Sequence, residues 1–187
     1  DNTTASNNVA VGYASLDANS TGAHNTGIGQ SALGANTTAS YNTAVGSEAL
    51  LVSSTGQRNA AVGYQALTAA TTGSDNVTMG YLAGTAVTTG IENTLIGYYA
   101  GASSTTTNYN TAVGSGALQN NTAAGNVAVG RAALYANTTG VDNTAVGFAA
   151  LDANTTGTDN TAIGDNALGG NTDANNNTAV GSSALLA

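Results

Sequence analysis

Side chains that could carry out catalysis are scarce in this chain. His24 is the only histidine, there is no cysteine, and ten acidic residues are accompanied by only two basic ones. General acid–base or nucleophilic catalysis needs a base within reach of an activated hydroxyl, thiol or carboxylate. No serine is distinguished by its surroundings, and no carboxylate pair is set apart for cleaving a polysaccharide. We therefore expect His24 to be an exposed turn residue, and we predict no catalytic site and no enzymatic activity.

The acidic residues are candidates for binding calcium. Asp75 and Glu92, and likewise Asp142 and Asp159, lie 17 residues apart and occupy the same position in adjacent copies of a repeat. Carboxylates stacked about 5 Å apart repel one another, and a bound Ca²⁺ would relieve that repulsion. The glycine- and aspartate-rich repeats of calcium-binding β-rolls are absent, however. We expect solvated side chains, with Arg58 offsetting Asp75, and predict no metal site and no cofactor.

Tyrosines accumulate where the repeat is least regular, between residues 81 and 125. The four candidates for contact with a glycan are Tyr81, Tyr98, Tyr99 and Tyr109. Exposed tyrosines can stack on sugar rings because they combine an apolar ring with a polar hydroxyl. The alternative is that these rings fill space left where Gly84 and Gly101 replace a recurrent leucine. The second interpretation is favoured, and the first stays open.

Composition excludes several other functions. The net charge is −8, with charged residues making up only 6% of the chain. Nucleic acids and anionic membrane surfaces both require clustered lysine and arginine, so neither is an expected partner. No apolar run approaches the roughly 20 residues that span a bilayer, and we predict no membrane insertion by this segment.

The phrase Asn-Thr-Ala-Val-Gly recurs throughout the chain with small variations. Its eleven copies open at Asn8, Asn25, Asn42, Asn59, Asn76, Asn93, Asn110, Asn126, Asn143, Asn160 and Asn177. Nine of the ten spacings are 17 residues, and the interval from Asn110 to Asn126 is 16. The consensus over positions one to seventeen is N-T-A-V-G-x-x-A-L-x-x-N-T-T-G-x-x. Such a period indicates a solenoid, and residues 1–187 are predicted to be a single repeat array excerpted from a longer chain.

Asparagine at position one and glycine at position five are present in every copy. Representative pairs are Asn8 with Gly12, Asn25 with Gly29, Asn42 with Gly46, and Asn143 with Gly147. The glycine permits a sharp turn or a close backbone approach. The asparagine side chains are expected either to form a hydrogen-bonded ladder from copy to copy or to bond their local backbone.

Each repeat is long enough for one rung of a coil. Seventeen residues cannot hold two helices, and the content of Gly, Asn and β-branched residues opposes helix. We predict an all-β parallel β-solenoid of about eleven rungs, each with two short strands, at positions two to four and eight to nine, and two turns. At about 4.8 Å per rung the rod would be about 50 Å long. Valine at position four and leucine at position nine are expected inside, with positions three and five facing outward.

Two large apolar residues per rung would give a single chain a thin core. The outward positions three and five are nevertheless small and uncharged in most copies. They form either a crowded solvent face beside a turn or a surface that packs against neighbouring chains. We favour the second interpretation and predict a homotrimer around the fibre axis.

The motif N-T-A-V-G-x-x-A-L resembles the repeats of YadA-like heads in trimeric autotransporter adhesins. The 17-residue form with its N-T-T-G tail is similar to repeats of phage tail fibres. The resemblance implies a left-handed β-roll, trimeric assembly and an extracellular location. It further implies a structural segment of a virion tail fibre that contributes to attachment to a glycan or protein receptor on the host. A bacterial adhesin head at the cell surface is the alternative. A third, less favoured hypothesis is ice binding through the threonines at positions thirteen and fourteen.

Overall fold

The computed structural model describes residues 4–186; the remaining members of the predicted array, residues 1–3 and 187, lie outside the described part. Each repeat contributes one three-residue strand, and the eleven strands form one parallel sheet in chain order. No helix occurs within residues 4–186. The predicted all-β parallel solenoid is thus confirmed. The strands are β1 (Val9–Val11), β2 (Thr26–Ile28), β3 (Thr43–Val45), β4 (Ala60–Val62), β5 (Val77–Met79), β6 (Thr94–Ile96), β7 (Thr111–Val113), β8 (Val127–Val129), β9 (Thr144–Val146), β10 (Thr161–Ile163) and β11 (Thr178–Val180).

The register between strands follows the repeat. Each strand residue pairs with its equivalent in the next rung, as Thr43 does with Ala60. Across the short repeat the register is preserved, because Thr111 pairs with Val127. The hydroxyl of Thr122 still donates to the carbonyl of Thr138, its equivalent at position thirteen. The residue missing from rung seven is therefore the one at position fourteen, on the turn, and the sheet is undisturbed.

The prediction of which side chains face inward is wrong at the strand. Position three is buried from Gly27 onward, with Ala44, Ala61 and Ala145 fully inaccessible. Position four is exposed or half-buried in every rung. A three-residue strand directs only its middle side chain to one face, and side chains alternate between faces. The coil is so narrow that alanine at positions three and eight, with leucine at position nine, fills it.

The predicted second strand is also absent among the described residues. Positions six to eleven form consecutive turns, in which positions seven and nine adopt left-handed backbone angles. At position nine the leucines have φ near +50°, as at Leu50 (49°) and Leu134 (50°). This conformation costs an L-residue roughly 1–2 kcal/mol. It is maintained here because the turn delivers a fully buried leucine to the core.

Glycine at position five fulfils its predicted role. Its φ lies between +124° and +142° in all eleven rungs. A Cβ built on Gly46 would collide with the carbonyl oxygen of Gly63 in the next rung. Both the backbone angle and the approach of the next rung therefore exclude a side chain.

The core of rungs five and six is filled by other buried side chains where the recurrent leucine is missing. Gly84 and Gly101 occupy position nine, where other rungs have leucine, while Leu95 occupies position three of β6. Leu95 is fully buried, and a Cβ on Gly101 would lie 2.6 Å from its Cδ2 atom. The interpretation that tyrosines refill this space is therefore wrong, because Leu95 occupies it in rung six and Leu95, Thr78 and Val87 surround Gly84 in rung five.

Candidate functional site

The invariant asparagines form the predicted ladder, and their side-chain amides also bond a backbone carbonyl at the far end of their own rung. The backbone N–H of Asn25 donates to Oδ1 of Asn8 at 2.8 Å, and the Asn25 side-chain amide donates to the carbonyl of Ala39 at 2.8 Å. Ten rung-to-rung bonds of the first kind measure 2.8–3.1 Å. Most of these asparagines are fully buried, so each satisfied amide avoids a desolvation penalty.

A second ladder of largely buried asparagines, at position twelve of rungs one, two and seven to ten, was not predicted. The amide of Asn36 donates to Oδ1 of Asn19 at 2.8 Å, and that of Asn154 to Oδ1 of Asn137 at 2.9 Å. The next rung has Ser53 at this position, and Oδ1 of Asn36 lacks a hydrogen-bond partner there. The interior of the coil is thus partly polar, and its asparagine amides pair from rung to rung where adjacent rungs both carry asparagine.

The outer face of the sheet carries a row of partly exposed apolar side chains. We call the position-four side chains the outer stripe: Val11, Ile28, Val45, Val62, Met79, Ile96, Val113, Val129, Val146, Ile163 and Val180. Ile163 is 42% exposed and Met79 47%. Position two, usually threonine or valine, flanks the stripe and is half-buried or exposed. An apolar row with a member on every rung, open to solvent in a single chain, is typical of an interaction surface.

Tyrosines at position six form a second exposed feature, which we call the tyrosine stack: Tyr64, Tyr81 and Tyr98. Neighbouring ring centroids are 5.3 and 5.5 Å apart, with interplanar angles of 16° and 12°. Tyr99 packs edge-on against Tyr98 at 4.6 Å. Burial raises the pKa of the Tyr99 hydroxyl, and Tyr98 and Tyr81 raise it further. The structure thus brings together three of the four predicted glycan-contact residues.

The fourth candidate, Tyr109, lies apart from the stack at position seventeen and is exposed. Tyr64 was missed by sequence reasoning because its rung is regular. The available signal was its spacing, since Tyr64, Tyr81 and Tyr98 are successive 17-residue equivalents.

Position seventeen holds the residues considered for chemistry. His24 is exposed and stacks on Tyr41, with ring centroids 5.1 Å apart. Arg58 makes a two-pronged ion pair with Asp75, with Nε to Oδ1 at 2.6 Å and Nη2 to Oδ2 at 2.8 Å. This guanidinium holds the pKa of the Asp75 carboxyl below its usual range. The expected partnership of Arg58 and Asp75 is confirmed.

Within residues 4–186 no group of three or more His, Cys, Asp or Glu side chains is arranged to hold a metal ion. The same residues include no helix long and apolar enough to cross a membrane.

The threonine rows at the N-T-T-G turn are partly engaged within the coil. The position-thirteen hydroxyl of Thr138 donates to the carbonyl of Thr155 at 2.9 Å, and that of Thr155 donates to Thr172 at 2.9 Å. These hydroxyls bind the next rung, so they have less capacity to order water. Ice binding stays a prediction, which a thermal-hysteresis assay would test.

Comparison with known proteins gives no relative to set beside this geometry. No protein-family model, no curated protein and no solved structure matches the chain.

Proposed function

We propose that this chain is the shaft segment of an extracellular fibre, assembled as a parallel homotrimer and contributing to attachment at a host surface. The observation that carries the proposal is the outer stripe. An isolated solenoid leaves an apolar side chain partly or fully open on each of its rungs. Burying this row stabilises an assembly by about 25 cal/mol per Å² of apolar surface removed from water.

The partner best suited to the outer stripe is another copy of the same chain. A ligand that covers the stripe along its length must repeat with the rise of the solenoid and present apolar groups at that interval. A parallel, in-register copy meets both requirements, because every rung then faces its own equivalent. Three copies around an axis parallel to the rod would bury the position-two and position-four side chains in one continuous seam.

The shaft role follows from the uniformity of the rungs. The chemistry is nearly identical from rung to rung, as expected of an element that extends a binding tip outward. We assign it no catalytic function, no cofactor, no nucleic-acid partner and no membrane insertion. The similarity of the 17-residue repeat to those of phage tail fibres favours a virion location, with left-handed coiling as that resemblance implies. A head segment of a bacterial trimeric adhesin would use the same seam.

Electron microscopy of the full-length protein tests this proposal. We expect an unbranched rod of constant width, with three chains per cross-section, in which antibodies against this segment label the rod along its length. A virion-attachment or chaperone domain in the flanking sequence would support the tail fibre. A membrane-anchor barrel would indicate the adhesin. A globular particle containing one chain would contradict both.

A further inference from the structure

The tyrosine stack has properties that self-stacking alone does not explain. Aromatic pairs contribute about 0.5–1.5 kcal/mol to stability beyond the effect of the apolar area that they bury. Phenylalanine rings would make this contribution equally well. Position six accepts phenylalanine, since Phe148 occupies it in rung nine beneath Arg131. All three members of the stack nevertheless carry a hydroxyl, and Tyr98 and Tyr81 remain 56% and 46% exposed.

The stack is accessible from its side and at its two ends. Because its rings lie nearly parallel and one rung apart, the ring faces inside it are covered by neighbouring rings. The outermost faces point toward Ser47 and Ser115, the small residues at position six of rungs three and seven. The side of the stack is therefore a row of ring edges and phenol hydroxyls that runs along the rod. The ring centroids in this row are 5.3 and 5.5 Å apart.

No cation lies beside the stack. Positions six and seven of rungs four to seven hold only Tyr, Gln, Leu, Ser and Gly, and the charge next to them is negative, since the Glu48 carboxylate accepts from the Gln65 amide at 2.6 Å. The chain as a whole carries a net charge of −8. Such a surface offers no cation to bind a carboxylate, sulfate or phosphate, and the overall charge disfavours anionic polymers. A neutral ligand rich in hydroxyl groups is its chemical complement.

We propose that the tyrosine stack, with Tyr99 beside it, is a lateral binding site for an extended, uncharged β-1,4-linked glycan lying parallel to the rod. Such a chain advances by one sugar over a length close to that of one rung. Successive sugars can therefore each exchange a hydrogen bond with one phenol, while the terminal sugars pack on the open faces of Tyr64 and Tyr98. This inference rests on the proposed attachment function and names its ligand class.

The test is calorimetric titration of the intact chain with cellohexaose, using oligogalacturonate of the same length as the anionic counterpart. The informative variant combines Tyr64→Phe, Tyr81→Phe and Tyr98→Phe, which removes the hydroxyls and retains the rings. Tyr13→Phe is the matched control, because Tyr13 occupies position six of rung one outside the stack and is 82% exposed. Far-ultraviolet circular dichroism verifies that the coil of the variant persists, and light scattering gives the mass.

We expect the unmodified chain to bind cellohexaose and not oligogalacturonate. The triple variant should bind about tenfold more weakly, the loss for three hydrogen bonds of about 0.5 kcal/mol each. The control should match the unmodified chain. No binding of cellohexaose by the unmodified chain, or unchanged affinity of the triple variant, would overturn the inference. A triple variant with an altered mass would also overturn it, by placing the stack between copies of the chain. A trimer that binds no glycan would refute this site and leave the shaft function intact.

Discussion

Substitution of Leu95 by alanine examines how the core of rungs five and six is filled. Leu95 is fully buried, and both residues that face it across the coil, Gly84 and Gly101, lack side chains that could move into the vacated space. Large-to-small substitutions in cores cost about 2–5 kcal/mol, and the cost is highest where the site cannot collapse. We therefore expect Leu95→Ala to lower the free energy of unfolding by about 4 kcal/mol.

The matched variant restores the consensus on the opposite wall. Leu95→Ala combined with Gly101→Leu puts leucine back at position nine of rung six and alanine at position three. Gly101 has φ of +56°, close to the +51° of Leu118, so leucine fits the existing backbone. We expect this double variant to recover most of the lost stability. Gly101→Leu alone should instead destabilise by about 1–3 kcal/mol, because the new side chain would collide with Leu95.

Urea unfolding followed by circular dichroism measures these effects at one fixed protein concentration, since association would make stability depend on concentration. Hydrogen exchange should locate the loss in rungs four to seven. A cost of less than about 1 kcal/mol for Leu95→Ala, the scale of a surface change, would contradict this filling of the core. Simple additivity of Leu95→Ala and Gly101→Leu would contradict it equally, since residues sharing one cavity must couple.

Three further predictions concern the rungs and their surface. Gly46→Ala should cost about 3 kcal/mol in urea unfolding, because the residue has a left-handed φ and its new methyl group would meet the next rung's backbone; an unchanged midpoint would contradict that close approach. Asn143→Ala should cost about 2–3 kcal/mol, since Oδ1 of Asn143 accepts both the backbone N–H and the side-chain amide of Asn160 at 3.1 Å; equal stability would show that the ladder contributes nothing. Arg58→Gln should raise the pKa of Asp75 toward its ordinary value in an NMR titration. Because the folded-state pKa of Asp75 is depressed, the small contribution of the ion pair to stability is present above the unfolded-state pKa and disappears as the pH falls through the folded-state pKa. The Arg58→Gln variant should lack this pH dependence of stability. A retained dependence would exclude the ion pair as its cause.

The architecture was predictable because its signal is periodic. Eleven asparagines in phase define the rung, and any coil with this period must place equivalent residues above one another. The Arg58–Asp75 pair followed from that stacking, and the asparagine ladder was one of the two arrangements that the sequence left open. Their partners lie 17 residues away in sequence and one rung away in space.

The orientation of the strand could not be predicted, because side chains that alternate between two faces of a sheet do not indicate which face points into the coil. Valine at position four is more apolar than alanine at position three, so apolarity alone favoured the wrong face. The deciding factor was the width of the coil, set by the left-handed turns that carry leucines such as Leu33 and Leu67 into the interior. Nothing in local propensity indicates that leucine will adopt a positive φ in most rungs, since the isolated residue disfavours it.

The tyrosine stack was only partly foreseen for a related reason. The irregular stretch drew attention to Tyr81, Tyr98 and Tyr99, whereas Tyr64 belongs to a regular rung. Grouping the residues by position in the rung would have found it. The role of Leu95 was harder to predict, because its compensation for two glycines on the opposite wall depends on contacts across the coil.

Sedimentation equilibrium most directly tests the central claim that the outer stripe is a seam between copies. The chain has a mass of 18.0 kDa, and we predict a complex of three times that value at micromolar concentration. A variant with Val129→Asp and Ile163→Asp on the stripe should fall to the single-chain mass while it keeps its β-sheet circular dichroism. The matched control, Thr139→Asp with Thr156→Asp on the exposed turn, should stay trimeric. A folded, unmodified chain that sediments as a monomer, or a stripe variant that keeps the trimer mass, would contradict the account.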